Sequence, residues 1–271
     1  MLWDTHMHSN FSGDCDSTPE SMIEAAITKG LSGICLTDHM DYDFPSHPKN
    51  PVIFEFDPDA YQQKIQELQL QYADRISVRY GIELGLQPHL AERHAKLLES
   101  YPYDFVIASS HLVHGKDPYY AEYYNGRTEK EAYLEYFHSI PENIRAFSDF
   151  DVYGHLDYVV RYGPDQNANY SYAAYADLID EILKQLIGLG KGIEVNTAGF
   201  KYGLGHPHPC EDILKRYHAL GGEILTLGAD AHQPAHVAYG FDQLPQLLQS
   251  CGFSYYTVFK NRKAEFIPLE K

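Results

Sequence analysis

Residues 33–39 read GICLTDH: four small or apolar residues that form a buried strand, then an aspartate and a histidine. The order is the informative part, because the strand delivers groups able to bind protons or metals at its carboxyl end. The same order recurs along the chain. Leu2-Trp3 precedes His6 and His8, ISVRYGIE ends at Glu83, and FVIASSH ends at His111. VYGH ends at His155, IEVN at Asn196, and ILTLGADAH carries Asp230 and His232.

Helical patterns separate these strands. The first starts at Thr18-Pro19-Glu20, a hydroxyl cap followed by proline at the first helical position, and Gly30 is placed to end it. Others are expected at about 58–73, 88–99, 128–147, 172–189 and 210–220, with a short one near 243–250. Tyr255–Phe259 reads as a last strand or an edge segment. Seven βα units favour parallel strands with right-handed crossovers. The fold expected is a closed or nearly closed α/β barrel, with an open doubly wound sheet as second choice. No G-x-G-x-x-G or Walker-type loop follows the first strand, which weakens the nucleotide-binding form of the open sheet. No linker rich in Pro, Gly or Ser divides the chain, so residues 1–271 are read as one domain.

Composition sets the class. The chain has 271 residues, 44% of them hydrophobic, enough for a large core. No apolar run approaches the ~20 residues needed to span a bilayer, and no leader pattern opens the sequence. Four scattered cysteines without a CxxC pair fit a reducing compartment, so a cytoplasmic location is expected. The net charge of −17 argues against a generic nucleic-acid binder, although bound cations could invert the field locally.

In α/β barrels the carboxyl ends of the strands build the active site. Neutral imidazoles and carboxylates crowded at one mouth would repel or stay unsatisfied without cations. Mixed histidine and carboxylate donors suit Zn, Mn or Fe better than Ca or Mg. There are too many candidate ligands for one ion, so two or three ions sharing Glu83 as a bridging carboxylate are expected. Solvent bridging two such ions is acidified to a hydroxide nucleophile, which serves hydrolysis and phosphoryl transfer. Amidohydrolase barrels also open with His-x-His but place a lysine after strand four; here Ser109-Ser110-His111 stands there instead.

The motifs DTHMH at 4–8, TDH at 37–39, GIE at 81–83, SSH at 109–111, GH at 154–155 and DAH at 230–232 resemble the polymerase and histidinol phosphatase (PHP) family, in its order and over nearly the whole chain. The resemblance implies a distorted (β/α)7 barrel with a trinuclear metal centre. It implies one ion on His6, His8, Glu83 and Asp230, and a second sharing Glu83 with His111 and His155. The third would take Asp14, His39 and His232. Some members carry histidine where Asp14 stands, so the carboxylate bears on that site's metal preference. Asp4 and Asp38 either orient histidines or cap turns.

Within the family the chain is most similar to the histidinol-phosphate phosphatases, through GHLDYVVRYG at 154–163 and EVNTAGFKYG at 194–203. This implies hydrolysis of L-histidinol phosphate, a small phosphate monoester, in histidine biosynthesis. Arg161 is expected to hold the substrate phosphate through its planar fork. Asn196 either donates to phosphate or fixes a ligand. His114 and Lys116 sit where a loop could cover the site, His114 as a candidate acid for the leaving oxygen. The tyrosines at 119, 120, 123 and 124 read more readily as loop packing than as a lid. The rival readings are a phosphatase of another substrate, such as phosphotyrosine protein, a nuclease, and a non-catalytic metal-binding module.

Overall fold

The strands are short and buried along their length, as expected where helices cover a parallel sheet. The computed structural model describes residues 2–47 and 51–269. Its central strands are β1 (Trp3–Met7), β2 (Gly33–Leu36), β3 (His39–Met40), β4 (Ser77–Gly85), β5 (Phe105–Ser109), β6 (Val152–Tyr153), β7 (Gly192–Asn196) and β8 (Leu225–Gly228). They pair in the order β1-β2-β4-β5-β6-β7-β8, all parallel, and β3 continues the line of β2 along the far half of β4. The helices are α1 (Pro19–Thr28), α2 (Pro58–Gln71), α3 (Ala91–Ser100), α4 (Glu129–Ala146), α5 (Ala176–Gly188), α6 (Ala198–Lys201), α7 (Glu211–Ala219) and α8 (Leu244–Ser250).

The ring is nearly closed, at one short seam. Met7 bridges Ala231, His8 N–H donates to the Ala231 carbonyl at 2.9 Å, and Asp230 N–H donates to the His6 carbonyl at 2.9 Å. Lower down, Thr5 Oγ1 donates to the Leu227 carbonyl. The barrel is distorted because β6 has two residues and the β1–β2 register shifts between Asp4 and Met7.

Helix ends follow the local chemistry. Thr18 accepts from Ser21 N–H before Pro19, and Gly30 adopts φ 72°, the left-handed conformation that stops α1. Thr128 and Glu131 form a reciprocal capping box at the start of α4. Three expectations are refined. The strand around Glu83 runs to Gly85, so Glu83 lies inside it. Residues 88–90 form a tight turn before α3, and α6 is a helix that propensity did not announce. Tyr255–Lys260 (β9) pairs antiparallel with Lys263–Pro268 (β10) as a separate hairpin. That hairpin closes the amino-terminal end of the barrel: Phe259 stacks on Phe105 and packs with Cys35, Ile107 and Val152.

Candidate metal centre

Side chains alternate across β4, so Gly81 and Glu83 share the inward face. Glu83 is fully buried, and five imidazoles converge on it. Its Oε1 lies 2.9 Å from His155 Nε2 and 3.2 Å from His111 Nε2, and accepts from Ser109 Oγ at 2.6 Å. Its Oε2 lies 3.0 Å from His39 Nδ1, 3.2 Å from His6 Nε2 and 3.5 Å from His8 Nε2. Yet Oε2 and His39 Nδ1 make no hydrogen bond among the described residues. These atoms approach one another without donating, as donors sharing a cation would.

The far side of each ring shows which nitrogen carries the lone pair. His6 Nδ1 pairs with Glu194 Oε1 at 2.6 Å, and His111 Nδ1 with Asp41 Oδ2 at 2.6 Å. A carboxylate can only accept there, so each of these rings, when neutral, turns its Nε2 lone pair toward Glu83. Ser12 Oγ donates to Asp38, leaving the same oxygen to accept from His8 Nδ1 at 3.1 Å. The His6 and His8 Nε2 atoms then face each other at 3.1 Å. The His8 ring lies 4.1 Å, centroid to centroid, from both His39 and His232, which are themselves 5.7 Å apart. Asp14 Oδ2 lies 3.2 Å from His232 Nε2 and 4.0 Å from His39 Nε2. Asp230 Oδ1 lies 3.3 Å from His8 Nε2 and 3.8 Å from His6 Nε2, on a residue at φ 53°, a left-handed conformation uncommon outside glycine.

The protonation pattern is conflicted, and that tests the fit to metal. Burial would push Glu83 up, but His6, His111 and His39 outweigh it and hold it well below the usual carboxylate range. Burial pushes His8 down, with His39 and His232 adding to it, well below an ordinary imidazole. Burial also opposes the charge on His39, but Glu83 and Asp14 raise it to about 9. Neighbouring rings therefore ask for opposite charge states. Divalent cations resolve the conflict by leaving every imidazole neutral and every carboxylate ionised. Four overlapping triads have donor atoms within 4.8 Å of one another: His8-His39-His232, His6-His8-Glu83, His6-His155-Asp230 and His39-Glu83-His111. The donor set fits metal ions.

Above the cluster opens a cavity of about 660 Å³. Asp14, His39, His111, His155, Asp230 and His232 reach it, and Arg161, Lys201 and several tyrosines form its wall. Arg161 is buried; Nη1 donates to Asp230 Oδ2 at 3.3 Å, while Nη2 has no hydrogen-bond partner among the described residues.

All nine expected ligands are brought together, and Arg161 stands beside them. One open choice is narrowed and one expectation is corrected. Asn196 is fully buried outside the cavity wall; its Nδ2 donates to Glu194 Oε2 and Asp230 Oδ2, and its Oδ1 accepts from Ala198 N–H, so it fixes a ligand and has no donor left for phosphate. His114 and Lys116 do not reach the site. Positive φ at His114 and Gly115 turns the chain back so that Val113 pairs with Lys116, which leaves both side chains exposed. His114 instead meets Glu135 and Glu142 of α4, at 3.2 and 3.3 Å. Tyr119 and Tyr120 line the cavity, whereas Tyr123 and Tyr124 are core residues.

Asp38 proves to do both jobs considered for it, pinning the Ser9–Ser12 turn and, through Ser12, His8. Asp4 caps backbone only, accepting from His6, Ala229 and Ala238 N–H. Glu194, Asp41 and Lys201 escaped the sequence reading. Glu194 had a signal: a charged residue inside an apolar strand, in phase with Asn196. It also explains Gly228, where a Cβ would lie 2.2 Å from Glu194 Oε1 and 2.4 Å from His6 Cβ.

Comparison with known proteins agrees with this geometry. The PHP domain family model matches residues 4–198, so the segment bearing Asp230 and His232 lies beyond the match. Histidinol-phosphatase of Lactococcus lactis is 31% identical over 97% of this chain and 96% of its own length. The crystal structure of the L. lactis histidinol phosphate phosphatase, complexed with zinc, L-histidinol and phosphate, superposes with a TM-score of 0.90, at 31% identity, over 97% of this chain and 98% of that one. The putative histidinol phosphatase of Listeria monocytogenes shares the fold, with a TM-score of 0.78 at 18% identity over 89% of this chain and 99% of that one. With the family model matched over most of its length and a relative aligned nearly end to end, the chain belongs to the PHP domain family.

Proposed function

We propose that this chain is a metal-dependent phosphomonoesterase that hydrolyses L-histidinol phosphate to L-histidinol and phosphate in histidine biosynthesis. The observation that carries the reading is the buried Nη2 of Arg161, which has no hydrogen-bond partner among the described residues, beside the ligand cluster. A desolvated guanidinium with an unused donor suits a phosphate oxygen, and bidentate capture is its preferred geometry. Lys201 Nζ, 3.4 Å from the Asp230 carbonyl, brings a second positive charge to the same wall.

Three ions (Zn, Mn or Fe) would be held by His6, His8, Glu83 and Asp230, by Glu83, His111 and His155, and by Asp14, His39 and His232. When bound, such ions acidify water to a nucleophile and neutralise charge on a phosphoryl group. The protein's own groups do the rest. Arg161 and Lys201 receive the phosphate, while Glu194, Asp41 and Ser12 hold His6, His111 and His8 in the tautomer that presents Nε2. Asp16, Asp117, Tyr119 and Tyr158 give the rest of the cavity an acidic and aromatic wall, which suits a small amino alcohol bearing an ammonium and an imidazole. Ligands drawn from His6 to His232 make the whole chain one catalytic domain, and four cysteines outside any disulfide support a cytoplasmic location.

The test is phosphate release from histidinol phosphate, phosphotyrosine and short oligonucleotides, with metal content measured on the same sample. We expect strong preference for histidinol phosphate and a raised KM in Arg161→Ala. Comparable turnover of all three would overturn the dedicated role, and no release from metal-replete protein would favour a binding module.

A further inference from the structure

Behind Arg161 stand two buried groups, Asp157 and His208, whose side chains among the described residues make no hydrogen bond to any candidate ligand. Asp157 is fully buried just beyond β6, and its Oδ1 is hydrogen-bonded to His208 Nδ1. Its Oδ2 accepts from Tyr170 O–H at 3.0 Å and Cys210 N–H at 3.1 Å, so the carboxylate cannot swing away. His208 is fully buried, and its backbone exchanges two hydrogen bonds with Asn196 at the end of β7, at 2.7 and 2.8 Å. The far ring nitrogen, His208 Nε2, lies 3.3 Å from Arg161 Nε.

The tautomer follows from the partners. Asp157 can only accept, so His208 Nδ1 carries the proton and Nε2 offers a lone pair. Burial pushes the imidazole down to about 4, against the pull of Asp157, which keeps it neutral near physiological pH. A neutral acceptor matters here. The ring fixes Nε without adding a second negative charge beside the guanidinium, and Asp230 occupies Nη1. Tyr158 and Tyr202 flank the guanidinium carbon at 4.9 and 4.8 Å. Among the described residues, Nη2 alone of the three guanidinium nitrogens has no hydrogen-bond partner.

We propose that Asp157 and His208 are positioning residues that act through Arg161: the carboxylate sets the imidazole tautomer, and the imidazole turns the guanidinium so that Nη2 is presented to the substrate phosphate. The inference rests on Arg161 being the phosphate-binding residue.

Two isosteric half-replacements separate positioning from packing. Asparagine at 208 keeps an N–H near the Nδ1 position and loses the acceptor for Arg161. Glutamine keeps an oxygen near the Nε2 position and loses the donor to Asp157. Both leave the ring's space partly empty. Losing a hydrogen bond that orients a charged donor corresponds to about tenfold or more in binding. His208→Asn is therefore expected to raise KM and the inhibition constant for inorganic phosphate about tenfold, with a smaller change in kcat and unchanged metal content. His208→Gln should recover most of the loss. In an Arg161→Ala background, His208→Asn should change kcat/KM no further.

Equal damage from Asn and Gln, additive losses in the double variant, or metal lost from His208→Asn would overturn the relay. The two readings fail separately. An Arg161→Ala enzyme with parental kcat/KM removes the phosphate assignment itself. A damaged Arg161→Ala with additive His208→Asn removes only the relay. If His208→Asn does not fold, the comparison passes to Asp157→Asn, which keeps the volume at that position and should reproduce the phosphate-specific loss; parental KM and phosphate inhibition in that variant would overturn the relay.

Discussion

Glu83→Gln tests the centre most directly, since it keeps the side chain's shape and removes one charge. Glu83 Oε1 faces His155 and His111, and Oε2 faces His39, His6 and His8, between 2.9 and 3.5 Å. An amide turns one of those oxygens into a donor, aimed either at the Nε2 atoms of His111 and His155 or at those of His6 and His8. Removing one member of a buried charge cluster costs about 3–5 kcal/mol. At 1.4 kcal/mol per decade, that is roughly two to more than three orders of magnitude in metal affinity. Because Glu83 faces two groups of imidazoles, the loss should fall on more than one ion. The assay is metal content after dialysis against a weak chelator, paired with phosphate release from histidinol phosphate. We expect Glu83→Gln to lose at least two ions and its activity together, with the fold retained by circular dichroism. Parental metal content and turnover would refute the bridging role.

Asp14→Ala should remove one ion and spare the others, since among the described residues Asp14 pairs with His232 and His39; loss of all metal would show the subsites are not separable. His114→Ala should leave kcat within about twofold, the range of an ordinary surface substitution; a fall of a hundredfold in steady-state turnover would return His114 to the site. His94 lies between Tyr42 and Phe147 with neither ring nitrogen hydrogen-bonded among the described residues, and burial pushes it from 6.5 down to about 4. The unfolded chain then binds the proton that the folded chain refuses, so stability is full above pH 6.5 and falls by up to about 1.4 kcal/mol per pH unit toward pH 4. Urea midpoints of His94→Leu across that window should show a shallower acid slope; parallel slopes would contradict the assignment.

The ligands were legible because barrel geometry places chemistry at strand ends, and a short apolar run followed by His or Asp is readable one unit at a time. Glu83 was read as the end of its strand, and although β4 runs on to Gly85 the residue stays near that end and faces inward. What stayed hidden depends on distance between segments far apart in sequence. Asp157 meets His208 across 51 positions and His111 meets Asp41 across 70, and no local pattern encodes either pairing. His114 failed for the opposite reason: its motif looked right, but a local turn with positive φ sends it toward α4. The hairpin was ambiguous because its strands pair only with each other, so alternation along Tyr255–Phe259 could not show which end of the barrel it covers.

The seam joining Met7 to Ala231 carries a consequence for biosynthesis. His6 and His8 leave the ribosome more than two hundred positions ahead of their partner Asp230, and the two backbones meet at residues proposed to hold metal. Synthesis must therefore pass Asp230 and His232 before the cluster can exist. Metal bound at the proposed ligands would then fasten the ring, like a buckle closed last. Chelation should loosen the barrel where its first and last strands meet, and proteolysis of metal-stripped protein should begin beside that join.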